Sequence, residues 1–322
     1  MEFPASLKNS IEAHAARYPM AQLKSAAAAL SLRYREQTGA GKSLLTEDLE
    51  AAAYALTRMP ATFAATSFAL QEALCAAEQT PRTLLDVGAG TGAACWAAGE
   101  RLPLSEVTCL EREGAMRRLG RELMGEGAPA LRDANWLAQD LNAAEALPRA
   151  ELVIASYALG EMTEQARSRA LQKLWDAAEK MLLLVEPGTP AAYGQLLAAR
   201  QTLLEQGAHL CAPCPHEQPC RLEDGDWCHF ACRVPRSRLH KLLKGGDAPF
   251  EDEKFSYLAF VRQPPVAQRV FRVLRHPQIA KGQVRLELCG PEGGRSLLVK
   301  KKEGARYKAA RKAGWGESLR LE

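Results

Sequence analysis

The run Leu84-Leu85-Asp86-Val87-Gly88-Ala89-Gly90-Thr91-Gly92 decides the fold of this 322-residue chain. Its first four residues have the apolar pattern of a buried strand, and the residues after the last glycine are typical of a helix. The glycines between them allow a tight turn close to a ligand, because glycine has no Cβ atom. Free N–H groups at the helix start would add polar contacts. A strand, a glycine-rich turn and a helix in this order predict a cofactor-binding unit.

Strand and helix patterns continue to alternate beyond this unit. The further strand-like apolar runs are 107–110, 136–141, 152–156 and 181–185. Helical stretches between them predict a parallel sheet covered on both faces. Two later runs, 227–234 and 255–261, have no convincing helix between them, so we expect an antiparallel pair at one sheet edge. A doubly wound α/β sheet that ends in such a pair resembles the class I methyltransferase fold, which is Rossmann-like.

The glycine spacing distinguishes two kinds of cofactor. A dinucleotide loop would need G-x-G-x-x-G, but position 93 is alanine and the third glycine comes one residue early. The spacing resembles the loop of S-adenosylmethionine (SAM)-dependent methyltransferases, in which the leading acid and the loop hold the methionine part. Glu111 ends the next strand, where a carboxylate can accept both ribose hydroxyls. Asp140 closes the third strand run, where that family often places a residue against adenine. The alternative is a degenerate loop that keeps the fold without the ligand.

Ligands of such sheets bind outside the carboxyl ends of the strands, where the fourth strand also ends. The predicted SAM-binding residues are therefore Asp86, Gly88, Ala89, Gly90, Gly92, Glu111, Asp140 and Ser156.

No catalytic residue can be named from the sequence. The end of the fourth strand lacks the N/D-P-P-Y loop with which amino-group methyltransferases grip a planar nitrogen. Neither Cys95 nor Cys109 follows a proline, as in cytosine-C5 enzymes, and we expect both to pack in the core. Tyr157 and Glu161 are the polar groups at this strand end. Strand-end packing and helix capping would explain them as well as catalysis does.

The composition and the N-terminal sequence predict the cellular compartment, and the compartment in turn indicates the chemical role of the nine cysteines. The chain is 47% hydrophobic and 25% charged, as in soluble globular proteins, and no apolar run reaches the length of a membrane span. The N-terminal residues have neither a signal-peptide nor a transit-peptide pattern, which predicts a cytosolic (cytoplasmic) protein. Disulfides are rare in the cytosol, so clustered cysteines there favour metal or cluster binding.

Five cysteines fall within 22 residues: Cys211, Cys214, Cys220, Cys228 and Cys232. Prolines keep this segment irregular, so it buries little apolar area, and metal–thiolate bonds would order it. Cys211 and Cys214 have the spacing of half a zinc site, which His216, His229 and Cys232 could complete. All-thiolate ligation suits an iron–sulfur cluster equally well. Spacing leaves both centres open, together with free thiols.

The C-terminal part is basic. Residues 262–322 contain 15 Lys and Arg against 5 Asp and Glu. The densest cationic stretch comprises Lys300, Lys301, Lys302, Arg306, Lys308, Arg311 and Lys312. These side chains would neutralise phosphates, and the interleaved Tyr307 and Trp315 could stack on unpaired bases. We predict an RNA-binding module of short strands that resembles an OB fold. The alternative is a flexible basic tail.

Three parts are therefore expected. Residues 1–80 should be a helical region, and residues 81–262 a methyltransferase-like domain with a cysteine-rich insertion at 207–232. Residues 263–322 should be the basic β module.

Five motifs resemble one family over nearly the whole chain. They are Arg58-Met59-Pro60-Ala61-Thr62, Ala212-Pro213-Cys214-Pro215-His216 through Cys220, Asp226-Trp227-Cys228-His229-Phe230, Glu251-Asp252-Glu253-Lys254-Phe255-Ser256-Tyr257, and Tyr307-Lys308-Ala309-Ala310-Arg311-Lys312-Ala313-Gly314-Trp315-Gly316. The family is that of the methyltransferase-like mitochondrial small-ribosomal-subunit assembly proteins and their bacterial relatives.

The resemblance implies a 4Fe–4S cluster held by Cys214, Cys220, Cys228 and the distant Cys289, with zinc as the alternative. It implies a SAM-binding rRNA methyltransferase-like protein that acts on the small ribosomal subunit, with small-subunit rRNA as partner. The alternative is a non-catalytic assembly factor in which SAM and the cluster are structural. A zinc-bearing transcription regulator would need a recognition helix, and the sequence has no convincing one.

Overall fold

The computed structural model describes residues 2–36, 47–160, 162–220, 222, 225–265 and 270–320. Helices fill the described N-terminal part: α1 (Ala5–Ala15), α2 (Met20–Glu36), α3 (Asp48–Thr57) and α4 (Met59–Ala77). Pro60 stands in the first turn of α4, where its missing N–H costs no hydrogen bond. This helix buries most of its residues because it lies between the other helices and the main sheet.

The main sheet has eight strands. These are β1 (Thr83–Val87), β2 (Glu106–Leu110), β3 (Asn135–Leu137), β4 (Ala150–Ser156), β5 (Ala178–Pro187), β6 (His209–Ala212), β7 (Phe230–Pro235) and β8 (Phe250–Val261). Their order is β3-β2-β1-β4-β5-β8-β6, and β7 pairs with the first half of β8. Strands β1 to β5 are parallel, whereas β8 runs antiparallel to β5 and β6. The predicted α/β sheet is confirmed. Its antiparallel strand β8 lies between β5 and β6, which is the arrangement of the class I methyltransferase fold that the sequence resembles.

Helices cover both faces of this sheet. They are α5 (Ala93–Gly99), α6 (Gly114–Met124), α7 (Pro129–Arg132), α8 (Glu164–Ala177), α9 (Pro190–Glu205) and α10 (Arg238–Lys244). One face packs against the N-terminal helices with α5 and α6, and the other packs against α8 and α9. The central strands are buried on both sides, so Leu84 and Leu85 are both inaccessible although they point to opposite faces.

The structure corrects the predicted sheet edge. Strand β8 does pair with β7, but it lies inside the sheet because β6 pairs with its other end. The sequence did not reveal β6, since its four residues fall at the start of the cysteine-rich segment that we took as irregular. The third strand is also shorter than predicted and ends at Leu137. The described residues between β6 and β7, which are 213–220, 222 and 225–229, belong to neither a helix nor a strand.

The described C-terminal residues form a second, antiparallel sheet. Its elements are β9 (Phe271–Val273), β10 (Gln278–Ala280), β11 (Gln283–Gly290), β12 (Gly293–Lys300), α11 (Ala305–Lys312) and β13 (Ser318–Leu319). Strand β11 pairs with β12 along its length and with β10 and β9 at its two ends. The short strands predicted for this part are present, whereas the likeness to an OB fold stays a prediction. Among the described helices, none is long and apolar enough to cross a membrane.

Candidate functional site

The glycine loop joins β1 to α5 in the way its sequence predicts. Gly88, Gly90 and Gly92 have φ values of +72°, +56° and +85°, which favour glycine. A Cβ atom on Gly88 would lie 3.0 Å from the Cβ atom of Ala158, so a side chain there would also crowd the second residue beyond β4. The amide of Gly90 donates to Oε2 of Glu111 over 2.8 Å, which ties the loop to the end of β2.

Asp86 is the buried acid of this loop. Its Oδ2 accepts a hydrogen bond from the thiol of Cys95 over 3.2 Å, and the Sγ atom of Cys95 lies 3.4 Å from that of Cys109. Within the described part of the chain, Oδ1 of Asp86 has no hydrogen-bond partner. Burial, opposed by the Cys95 bond, raises the pKa of Asp86 to about 7. Buried acceptors are almost always satisfied, so a ligand with a donor group at this position fits the site.

The other predicted cofactor residues lie around the same strand ends. Glu111 is buried, and its Oε1 accepts the amide of Glu113 over 2.7 Å. Ser156 is the buried last residue of β4. Asp140 lies beyond β3, where its Oδ2 is 3.5 Å from Arg112, the residue after Glu111. The structure therefore collects these side chains at the carboxyl edge of the sheet, although Asp140 is held by an arginine and is partly exposed.

Tyr157 has a role at the end of β4 that the sequence did not reveal. Its φ of +56° is unusual for a residue other than glycine and turns the chain sharply after the strand. Its hydroxyl donates to Oε1 of Glu253 on β8 over 2.9 Å. Burial and the nearby carboxylate raise the pKa of Tyr157 well above its usual range. Glu161, the other polar candidate at this strand end, lies outside the described residues.

Four cysteines line one cavity of about 40 Å³. The segment between β6 and β7 supplies Cys214, Cys220 and Cys228, and β11 of the C-terminal sheet supplies Cys289. The cavity wall is otherwise mostly apolar, with the polar exceptions Tyr193, Arg200, Ser256, Tyr257 and Arg272. Among the described residues, no three Cys, His, Asp or Glu side chains are grouped as the ligands of one metal ion.

The two remaining clustered cysteines lie elsewhere. The thiol of Cys211 donates to the carbonyl oxygen of Ala259 over 3.4 Å, and Cys232 on β7 pairs in register with Glu253. Neither lines the cavity, so Cys211 and Cys214 do not act as one half of a shared site.

Burial disfavours the ionised form of three cavity thiols by raising the pKa of Cys214, Cys228 and Cys289. Burial, followed by the charges of Cys214 and Cys220, raises the pKa of Cys289 to about 12. Burial and the other three cysteines also raise the pKa of Cys228 well above its usual range. A bound cationic centre would stabilise these thiols as thiolates. The donor set of four soft sulfurs in an apolar wall fits such a centre.

Buried polar contacts join the C-terminal sheet to the methyltransferase-like domain. Nε of Arg272 on β9 donates to the carbonyl oxygen of Pro213 over 2.9 Å, and its guanidinium is paired with Glu72 of α4. Arg272 is 4% exposed, so these bonds are shielded from solvent. They fix the strand that lies next to Cys289 in the sheet.

The aromatic residues of the basic part have structural roles, contrary to our expectation that they could stack on RNA bases. Tyr307 is buried in the core of the C-terminal sheet. The ring of Trp315 lies between those of His229 and His276, with centroids 5.1 and 5.0 Å away. Its Nε1 donates to the carbonyl oxygen of His229 over 3.0 Å.

The predicted RNA-binding cations lie together on the surface of the C-terminal sheet. Lys300, Lys301, Lys302, Lys308, Arg311 and Lys312 are exposed. Arg306 is half-buried and pairs with Glu303 over 3.3 Å. Lys308 and Lys312 are four residues apart on α11 and therefore share one face of that helix.

Comparisons with known proteins identify relatives of the chain. A family model described as "Mitochondrial small ribosomal subunit Rsm22" matches residues 48–320. The human "Ribosome assembly protein METTL17, mitochondrial" is 29% identical over 287 residues, which cover 83% of this chain and 61% of that protein. The "Rsm22-cox11 tandem protein 2, mitochondrial" of Schizosaccharomyces pombe is 23% identical over 218 residues, 53% of this chain and 29% of that protein. The chain thus spans less than two thirds of either relative. Both names include the word mitochondrial, and the cytosolic location of this chain stays a prediction.

Solved methyltransferases resemble the fold at low identity. Magnesium protoporphyrin IX methyltransferase (ChlM) from Synechocystis PCC 6803 with bound SAM is 13% identical, with a TM-score of 0.42 over 72% of this chain and 90% of that chain. The plantazolicin methyltransferase BpumL in complex with SAH is 12% identical, with a TM-score of 0.43 over 76% of this chain and 98% of that chain.

Proposed function

The chain belongs to the Rsm22 family, and from this premise we propose that it is a SAM-binding, iron–sulfur assembly factor that docks on the RNA of the small ribosomal subunit. The family description names the small ribosomal subunit, and the human relative is named a ribosome assembly protein. The observation that carries the proposal is the cavity that collects four cysteines from two parts of the chain. A centre bound there would fasten the basic module to the methyltransferase-like domain.

The glycine loop is the proposed SAM site. Its support is the buried Oδ1 atom of Asp86, which has no hydrogen-bond partner among the described residues, beside three glycines with positive φ values. The residues that would hold SAM are Asp86, Gly88, Ala89, Gly90, Gly92, Glu111, Asp140 and Ser156. Bound SAM supplies a sulfonium-activated methyl group. The role of the protein is to enclose the cofactor at the carboxyl ends of the strands.

The cysteine cavity is the proposed site of a 4Fe–4S cluster, held by Cys214, Cys220, Cys228 and Cys289. Four thiolate ligands suit a 4Fe–4S cluster, which the family resemblance implies, and zinc is the alternative centre.

The exposed cations of the C-terminal sheet form the proposed rRNA surface. Backbone phosphates are the groups that such a surface recognises, because Tyr307 is buried and the half-buried Trp315 packs against His229 and His276. Binding would therefore be strongly salt-dependent and would depend on the shape of the folded RNA.

Methyl transfer to rRNA is the second candidate function, and the intact glycine loop favours it. Such a transfer would depend mainly on in-line positioning of the acceptor. The end of β4 favours the non-catalytic function, because Tyr157 there is bonded to Glu253 and the N/D-P-P-Y loop is absent.

Labelled SAM distinguishes the two functions. The full chain would be incubated with immature small-subunit rRNA and with SAM that carries a labelled methyl group, while SAM binding is measured by calorimetry. We expect binding without label in the RNA. Label that disappears in Asp86→Asn would establish methyl transfer instead, and a lack of any SAM binding would reject the cofactor.

Cys289→Ser tests whether the bound centre attaches the basic module to the methyltransferase-like domain. The matched control is Cys75→Ser, at an exposed cysteine. We expect Cys289→Ser to lose the iron and to become sensitive to proteolysis between the two sheets, because one ligand of the centre comes from β11. Iron content and protease resistance equal to those of Cys75→Ser would contradict the proposed ligand set.

A further inference from the structure

Two buried donors in the cysteine cavity lack acceptors. The hydroxyl of Tyr257, a residue that is 2% exposed, has no hydrogen-bond partner among the residues that the structure describes. Nε of Arg200, a residue that is 4% exposed, is likewise without a partner in the described ranges. Buried polar groups in folded proteins are nearly always hydrogen-bonded. Two such donors around one cavity indicate an acceptor that the polypeptide itself does not supply.

Among the described residues, Arg200 is paired with no carboxylate and interacts instead with the thiol of Cys214. Nη2 of Arg200 donates to the carbonyl oxygens of His216 over 3.0 Å and Gln218 over 2.8 Å, which fixes the guanidinium against the cysteine loop. The other guanidinium of the cavity, that of Arg272, is paired with Glu72, whereas no described carboxylate pairs with Arg200. Burial of an unpaired charge is costly. Thiolates that hold a cationic centre in this cavity would supply the counter-charge of Arg200.

We propose that Arg200 and Tyr257 are the electrostatic partners of an anionic, thiolate-ligated cluster in this cavity: Arg200 supplies the counter-charge, and Tyr257 donates its O–H to a sulfur. This inference rests on the proposed 4Fe–4S cluster and assigns two residues beyond its four ligands. One bond of the same kind already exists, because the hydroxyl of Tyr193 donates to Sγ of Cys220 over 3.2 Å. Positive charge and hydrogen bonds at the sulfurs favour the reduced level of a cluster and raise its reduction potential.

Tyr257→Phe gives opposite results in the loaded and the cluster-free protein. Without the cluster the hydroxyl has no acceptor, so its removal should leave the melting temperature unchanged or raise it. With the cluster, its removal deletes a bond, so iron release to a chelator should become several-fold faster. Tyr307→Phe, the same change in the core of the C-terminal sheet, should leave iron release unchanged. A lower melting temperature of the cluster-free Tyr257→Phe protein with unaltered iron release would overturn the role of the hydroxyl.

Arg200→Gln and Arg200→Lys separate charge from hydrogen bonding. Glutamine keeps an N–H donor but carries no charge, whereas lysine keeps the charge. At a fixed solution potential, we expect the ratio of reduced to oxidised cluster to fall about tenfold in Arg200→Gln, which is about 59 mV for a one-electron couple. Arg200→Lys should recover most of the loss. The ratio is read from the paramagnetic resonance signal of the reduced cluster, and a wild-type ratio in Arg200→Gln would overturn the role of the charge.

These results distinguish failure of the inference from failure of the proposed function. A wild-type chain that contains neither iron nor sulfide after anaerobic purification would reject both. A wild-type chain that contains the cluster, together with variants that release and reduce it as the wild type does, would reject only the roles of Arg200 and Tyr257.

Discussion

Asp86→Asn should make the cofactor-free protein more stable in alkaline solution than the wild type. The carboxyl of Asp86 is fully buried, and burial raises its pKa from 3.8 to about 7. The folded state therefore keeps a proton that the unfolded state loses. For a group whose pKa is raised by folding, the stabilising contribution is complete below about pH 4 and is lost as the pH rises through about 7. Asparagine is neutral at every pH and avoids this loss.

The size of the effect follows from the shift in the pKa. A shift of about three units corresponds to about 4 kcal/mol between the acidic and the alkaline limits. Between about pH 5.5 and about pH 8.5, the wild type should lose about 2 kcal/mol of unfolding free energy relative to Asp86→Asn. All other titrating groups are common to the two proteins, so their contributions cancel in the difference.

Urea denaturation of both proteins at the two pH values measures this difference. The fluorescence of the five tryptophans reports unfolding, and one of them, the buried Trp96 of α5, lies close to the loop. Saturating SAM should reduce the pH dependence of the wild type, because a donor group of the ligand would stabilise the charged carboxylate. Parallel loss of stability in the wild type and Asp86→Asn would refute the protonation of Asp86.

Two further predictions concern the loop and the basic surface. Gly92→Ala should cost about 1–3 kcal/mol and weaken SAM binding, because its Cβ atom would lie 2.6 Å from the buried sulfur at the end of α6. Gly207→Ala is the control for backbone strain alone, because Gly207 has a φ of +81° and its Cβ atom would have nothing within 4 Å. Equal losses of unfolding free energy in the two variants, measured by urea denaturation, would contradict the steric overlap at Gly92. The double change Lys308→Ala with Lys312→Ala should weaken rRNA binding. It should also reduce the slope of the logarithm of the binding constant against the logarithm of the salt concentration, by about 0.7–0.9 per lost phosphate contact. Lys24→Ala on α2 is the control, and an equal effect there in filter binding would argue against a defined RNA surface.

Features with a local pattern could be predicted from the sequence. The strand, glycine turn and helix around Asp86 follow from the order of apolar residues and glycines, and the structure places Glu111 beside that turn as expected. The alternation of strands and helices likewise predicted the α/β sheet. These features depend on neighbours in the chain, so periodicity and turn chemistry are sufficient to find them.

Contacts between distant segments left no such signal. The bond from Tyr157 to Glu253 joins residues 96 positions apart, and Arg200 reaches the cysteine loop only because α9 packs beside it. Strand β6 was missed because proline and cysteine follow it at once, which hides a strand of four residues. Cys289 was named through the family resemblance rather than through spacing, and the structure places it in the wall of the same cavity as the other three cysteines.

The most direct measurement is the iron, sulfide and zinc content of the full chain purified without oxygen. A cluster held by Cys214, Cys220, Cys228 and Cys289 predicts about four iron and about four sulfide per chain, with a broad visible absorbance that disappears in Cys289→Ser. A colourless wild-type protein that contains about one zinc and no sulfide would contradict it.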